Sequence, residues 1–303
     1  MPSLLSRLAV LAITLRGSKR EFSTAQRTLA KVAKVHERPK PFAPPRSITK
    51  HVHITAREFF GQPGHDWPVF DVTPKSGATG ARALFLHGGC YVYEIDPFHW
   101  RFVADLAERS GTTITVPIFP LAPRSNAATV VPLVADLAAE LVRDVGAERT
   151  SILGDSAGGG MALAVAQILR DRGIPPLHAT VLVSPWLDIS GEDPRLAEIA
   201  PHDPWLAIPG THAAGVLWRD RLDAHDPLVS PMFGSLERLG PVTMFSGTRD
   251  ILNADATKFV DVAAAAGLKL DYHEARGMIH NYAILPIPEA KPAREVIAAA
   301  LRA

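Results

Sequence analysis

The chain holds one cysteine, Cys90, among 303 residues, so no second thiol is available to pair with it. That count excludes an internal disulfide framework and a zinc site built on cysteines, and it makes a reducing cytoplasm the expected compartment. No apolar run approaches the ~20 residues of a membrane-spanning helix. Leu8 to Leu15 resembles the core of a signal peptide, but Arg16, Lys19 and Arg20 stand where a small-residue cleavage site belongs. No low-complexity linker divides the chain. Gly158-Gly159-Gly160 has no lysine after it, so a phosphate loop is not supported. His51 and His53 share one strand face without a third metal ligand at suitable spacing. No metal, cofactor or nucleic-acid partner is expected.

What is present is an ordinary globular composition, 47% hydrophobic and 21% charged, enough for a sizeable core. The net charge of +1 conceals an uneven distribution, because residues 1–50 carry eleven Lys or Arg and two acids. This basic arm is either the solvated face of surface helices or an attraction to anionic membrane. Leu4, Leu8, Leu11 and Leu15 form one stripe of an amphipathic helix in it. Ser23-Thr24-Ala25-Gln26 announces a second helix, which runs until Pro39. Two helices are thus expected before the first strand.

Beyond the prolines from Pro39 to Pro45, Val52 and Ile54 alternate with histidines, as in an edge strand. Short apolar runs at Ala81–Leu86, Thr113–Ile118, Thr150–Leu153, Ala179–Val183, Val242–Phe245 and Lys269–Tyr272 then alternate with helical patterns. This rhythm predicts an α/β fold, a mainly parallel sheet with helices on both faces. Between Leu187 and Pro231 the rhythm lapses into prolines and tryptophans. We read residues 1–45 as N-terminal cap helices and 46–303 as the catalytic domain, with a cap insertion at about 188–230.

The chain's chemistry centres on Gly154-Asp155-Ser156-Ala157-Gly158, a G-x-S-x-G elbow in which a strand turns sharply into a helix and exposes the central hydroxyl. Such a pentapeptide arises by chance in roughly one chain in ten of this length, but the flanking strand and helix patterns supply the required context. A serine hydroxyl needs a base, and the base an orienting acid, in the chain order Ser, acid, His. Asp250 follows the run ending at Phe245, and His280 follows the run ending at Tyr272. Asp255 is the runner-up acid and His273 the rival base. Oxyanion donors are expected from the Ala157 amide and from Gly88 and Gly89 in the His87-Gly88-Gly89-Cys90 loop.

With Leu121-Ala122-Pro123, Ser184-Pro185-Trp186-Leu187-Asp188 and Asp226-Pro227-Leu228-Val229-Ser230-Pro231, these motifs resemble the hormone-sensitive-lipase-like family of α/β-hydrolases, the bacterial carboxylesterases with an HGGG loop and a GDSAGG elbow. The resemblance covers most of the chain from about residue 81. It implies an α/β-hydrolase fold with a helical cap and a cofactor-free serine esterase acting on small-molecule esters of short to medium acyl length. A lipase, an amide hydrolase or a non-catalytic receptor of the same fold are the alternatives, and a homodimer is compatible with it. Two departures stand out: Cys90 replaces the third loop glycine, and Arg124 stands where the family has Glu.

Overall fold

In the computed structural model, which describes residues 2–60 and 66–303, eight strands form one sheet in the order β1-β2-β4-β3-β5-β6-β7-β8. They are β1 (Val52–Phe60), β2 (Asp66–Pro74), β3 (Arg82–Leu86), β4 (Thr113–Pro117), β5 (Thr150–Asp155), β6 (Ala179–Val183), β7 (Val242–Arg249) and β8 (Leu270–Ile279). β2 pairs antiparallel with both neighbours, and every pairing from β4 to β8 is parallel. The mainly parallel sheet expected from the alternating pattern is therefore present, with an antiparallel edge.

Helices cover both faces, and the pleat sorts the strand residues between them. Leu84, Leu86, Ile152, Leu182 and Met244 face α5 (Ala127–Val145), α6 (Ala157–Asp171) and α9 (Asn253–Ala265). Ala83, Phe85, Leu153, Val181 and Phe245 face α4 (Pro97–Ser110) and α10 (Ala290–Ala300).

The first and last pairs of elements differ from expectation for local reasons. Gly17, at φ +73°, stops α1 (Leu4–Leu15) and permits a separate short helix, α2 (Ser18–Phe22), ahead of α3 (Ala25–Glu37), so three helices precede the sheet. β7 and β8 run on to Arg249 and Ile279, beyond the apolar runs ending at Phe245 and Tyr272, because they pair with each other past Gly247 and Gly277. A Cβ on Gly247 would lie 2.5 Å from the Met278 carbonyl oxygen, so this close approach requires glycine.

α1 is the amphipathic helix expected, but its leucine stripe faces outward. Leu4, Leu8, Leu11 and Leu15 are exposed, whereas Ser6 is buried and Ala9, Val10 and Ile13 pack against the α10 side of the core. α2 and α3 pack on α8 (Ile208–Arg219), a helix of the proline-rich stretch, which also holds the short α7 (Arg195–Ile199). At that contact Gly210 has no room for a side chain, since a Cβ would meet the Phe22 Cα at 2.5 Å. Gly210→Ala is expected to cost about 1–3 kcal/mol by overpacking and to speed tryptic cleavage in residues 16–40, read by urea unfolding and limited proteolysis.

Candidate active site

Three strand ends carry the central residues. Ser156 follows β5 directly, Asp250 follows β7 and His280 follows β8, so all three sit at the carboxyl edge of parallel strands, where ligands bind in open α/β sheets. Ser156 adopts φ +53°, ψ −122° between β5 and α6, a strained conformation for a residue with a side chain. The turn is tight enough that a Cβ on Gly154 would lie 2.2 Å from the Gly158 carbonyl oxygen.

The structure brings the sequence-predicted residues together. His280 Nε2 lies 3.0 Å from Ser156 Oγ, and His280 Nδ1 lies 2.8 Å from Asp250 Oδ2. Leu252 N donates to the second Asp250 oxygen at 3.0 Å, which fixes the carboxylate plane. Burial opposes a charged imidazole, but the Asp250 carboxylate and its hydrogen bond, with Asp203 and Asp155 behind, outweigh it and raise the His280 pKa. The alternatives lie elsewhere. Asp255 is buried and accepts from Asp188 N at 3.3 Å, and His273 stacks on Phe245 while meeting Asp271.

The oxyanion loop corrects one expectation. Gly88 N donates to Asp155 Oδ1 at 3.0 Å, so its amide is already engaged. A Cβ there would lie 2.3 Å from Asp155 Oδ2, so the glycine serves close approach instead. Among the described residues the Gly89, Cys90 and Ala157 amides meet no acceptor, and Gly89 and Cys90 line the same cavity as Ser156. Cys90 offers an unengaged amide that the motif alone did not reveal. It holds φ +54° in the left-handed region where a glycine would be unstrained. Burial pushes its thiol up to about 12, so it is not a competing nucleophile. The next residue, Tyr91, stacks on Trp218 at 4.1 Å between ring centres and anchors the loop.

Asp155 is a second residue that the elbow pattern named without a role. Besides Gly88 it meets Asn281 Nδ2 at 2.7 Å and His99 Nε2 at 3.3 Å, all within the interior. His99 Nδ1 lies 3.1 Å from both the Asp96 backbone N and Asp96 Oδ1, so a neutral ring accepts from the amide there and a charged one donates to the carboxylate. Desolvation disfavours a charged His99, yet the two carboxylates overcome it and hold its pKa near 10. Burial, and then the His99 charge, lower neighbouring His87 to about 4. The two rings are thus shifted in opposite directions, and the His87 ring stacks on Phe119.

The cavity measures about 660 Å³ and lies between the Ser156–His280 pair and the N-terminal arm, with Arg16, Phe22, Trp205 and Leu285 in its wall. Arg124, the second departure, is not among the residues lining it and donates to the carbonyl of His36 at the end of α3. Its place is in holding the arm against the body. Among the described residues no group of three or more His, Cys, Asp or Glu side chains is placed to hold a metal.

A family profile described as the alpha/beta hydrolase fold matches residues 83–284. The chain belongs to the α/β-hydrolase family, in its hormone-sensitive-lipase-like branch. This hydrolase is 34% identical over 218 residues to a triacylglycerol lipase of Mycobacterium tuberculosis, a match covering 72% of the chain and 45% of that protein, so it spans less than half the length of that relative. An acetyl-hydrolase of Streptomyces hygroscopicus is 30% identical, with 74% of this chain and 76% of that one covered. Among solved structures, the hormone-sensitive-lipase homologue EstE7 from a metagenome library superposes with TM-score 0.81 at 22% identity, covering 99% and 98% of the two chains, a likeness of fold.

The His99 imidazolium links stability to pH. Its folded pKa lies above the unfolded value of 6.5, so its contribution is complete below 6.5 and is lost as pH rises towards about 10. The urea midpoint of the hydrolase is expected to fall between pH 7 and 10, and the decline should flatten in His99→Gln.

Proposed function

We propose that the protein is a serine carboxylesterase acting on short to medium acyl esters. The observation that carries this reading is the relay from Ser156 Oγ through His280 to Asp250, with no gap above 3.0 Å, opening on a cavity with unengaged amides. His280 Nε2 takes the serine proton as Oγ attacks the ester carbonyl, and Asp250 stabilises the imidazolium that forms. The oxyanion meets the amides of Gly89, Cys90 and Ala157, each donor of this kind contributing about 3–4 kcal/mol to the barrier. Collapse expels the alcohol, which receives the proton from His280. A water activated by the same ring then attacks the acyl-enzyme, and the acid leaves with Ser156 restored.

Residues 1–45 and the stretch around α8 serve as the cap in this reading, because Arg16, Phe22 and Val35 of the arm form part of the cavity wall. Relatives named triacylglycerol lipase and acetyl-hydrolase bracket a wide acyl range. The cavity volume of about 660 Å³ and the charged arm residues Arg16, Lys31 and Lys40 in the wall favour its shorter end.

Intact-mass measurement after fluorophosphonate treatment tests the reading. One adduct is expected on the wild type and none on Ser156→Ala, whose turnover of p-nitrophenyl butyrate should drop about 10⁶-fold. A wild type that takes no label would overturn it.

We further propose that the arm docks on anionic lipid. Leu4, Leu5, Leu8, Leu11 and Leu15 are 50–78% exposed. Besides Lys19, whose ammonium group is taken up by two backbone carbonyls of the body, residues 1–20 contain Arg7, Arg16 and Arg20 and no acid, and each basic residue near a charged bilayer contributes about 1 kcal/mol. Among the described residues no helix is long and apolar enough to cross a membrane, so contact would be interfacial. Co-sedimentation with phosphatidylglycerol vesicles should exceed that with phosphatidylcholine alone and be lost in Leu8→Glu/Leu11→Glu. Equal binding to both vesicles would remove the electrostatic part.

A further inference from the structure

Asp203 is a carboxylate that the relay does not use, and it is 2% exposed beside the triad acid. Its Oδ1 accepts from Trp205 N at 2.7 Å and Leu206 N at 2.9 Å, and its Oδ2 accepts from Ile251 N at 2.9 Å. Ile251 directly follows Asp250. Trp205, two residues after Asp203, sets its ring edge-on to His280 at 5.8 Å between centres, and Trp205 and Leu206 both line the cavity. The same turn is gripped from the arm: Lys19 Nζ donates to the Ala200 carbonyl at 2.5 Å and to the Asp203 carbonyl at 2.7 Å. Arg249 Nε holds the His202 carbonyl at 3.2 Å.

We propose that Asp203 is a positioning residue for the triad, holding the Asp250 loop through the Ile251 amide and the Trp205 wall through its other oxygen, and that Lys19 makes this hold depend on the docked arm. Two backbone segments distant in sequence, 205–206 and 251, converge on one carboxylate, and the Arg249–His202 contact is a second, longer tie between the same turn and the end of β7. A carboxylate is required because it offers acceptors on both sides. An amide in its place would turn an N–H towards either the Ile251 amide or the pair at Trp205 and Leu206. The arrangement is costly to maintain, since burial and the Asp250 charge raise the Asp203 pKa. The cost is offset by three charge-assisted hydrogen bonds. The inference rests on the esterase reading above and adds to it a route by which the arm reaches the reacting groups.

The test compares wild type, Asp203→Asn and Lys19→Met on p-nitrophenyl butyrate across pH. Displacement of the Asp250 loop should lower kcat/KM of Asp203→Asn by about 10–100-fold, mostly in kcat, since the relay and not the cavity volume is disturbed. The acid limb adds a readout that a merely structural role would not move. His280 must be neutral to accept the serine proton, and the groups that raise its pKa are Asp250, Asp203 and Asp155. Removing the Asp203 charge should therefore shift the acid limb to lower pH. Around Asp203 the charged groups are Asp250, Lys19 and Arg249, of which only Lys19 is altered in the second variant. Lys19→Met keeps the stem and loses the two carbonyl contacts. It should fold normally and lose kcat in the same direction by a smaller factor.

Wild-type hydrolysis with unchanged kcat and unchanged acid limb in Asp203→Asn would overturn the proposal, as would a normal kcat in Lys19→Met. If Asp203→Asn does not fold, Lys19→Met decides alone. An inactive wild type that takes no fluorophosphonate would instead remove the esterase reading itself.

Discussion

A Cβ on Gly158 would fall 2.0 Å from the carbonyl oxygen of Leu86, and this approach of α6 to the end of β3 is the constraint on which the rest of the site depends. The helix can begin that close to the strand only because the chain folds back sharply at Ser156, whose positive φ is the strain cost of the turn. The residues after Leu86 are His87, Gly88, Gly89 and Cys90. The packing that lets the elbow form is thus the packing that lays the amide-bearing loop alongside the serine hydroxyl. The Ser156 hydroxyl and the loop amides are placed together by one backbone contact.

Asp155 then converts that contact into a fixed geometry. One of its oxygens takes the Gly88 amide and the other takes Asn281, the neighbour of His280, with the His99 cation close by. A buried carboxylate without partners would be strongly disfavoured. With these partners it ties the loop after β3, the start of α4 and the turn after β8 to the residue preceding the serine. The site is held from below by charge and from the front by the stacked Tyr91–Trp218 pair.

The sheet and the three central residues were legible because each depends on local pattern: apolar runs of strand length, a pentapeptide that demands a turn, and an acid and a histidine placed just beyond strand ends. What was not legible depends on which way a group turns once distant segments meet. The loop motif names four residues but does not say which amide stays unengaged; the Asp155 side chain takes Gly88 and leaves Gly89 and Cys90 to the cavity. The leucine period of α1 defines a face but not its direction. Ser6 meets Met278 of β8, and Ala9, Val10 and Ile13 pack against the core that holds α10, so the leucines are turned outward. Likewise the ends of β7 and β8 beyond Phe245 and Tyr272 are set by the pairing of the two strands and not by an apolar run. His99 and Asp203 had no sequence signal, since a lone histidine on a helix or an aspartate before a proline is common.

The cysteine in the oxyanion loop has a consequence for the molecule as a whole. Its thiol is the only one in the sequence, it is 5% exposed, and burial keeps it protonated well above neutral pH. Oxidants and alkylating agents attack the thiolate, which is scarce here, and two copies have no accessible sulfur through which to crosslink. The cysteine that suggested a reducing compartment is thus a packing residue of the loop, and its burial removes the reactivity on which that suggestion rested.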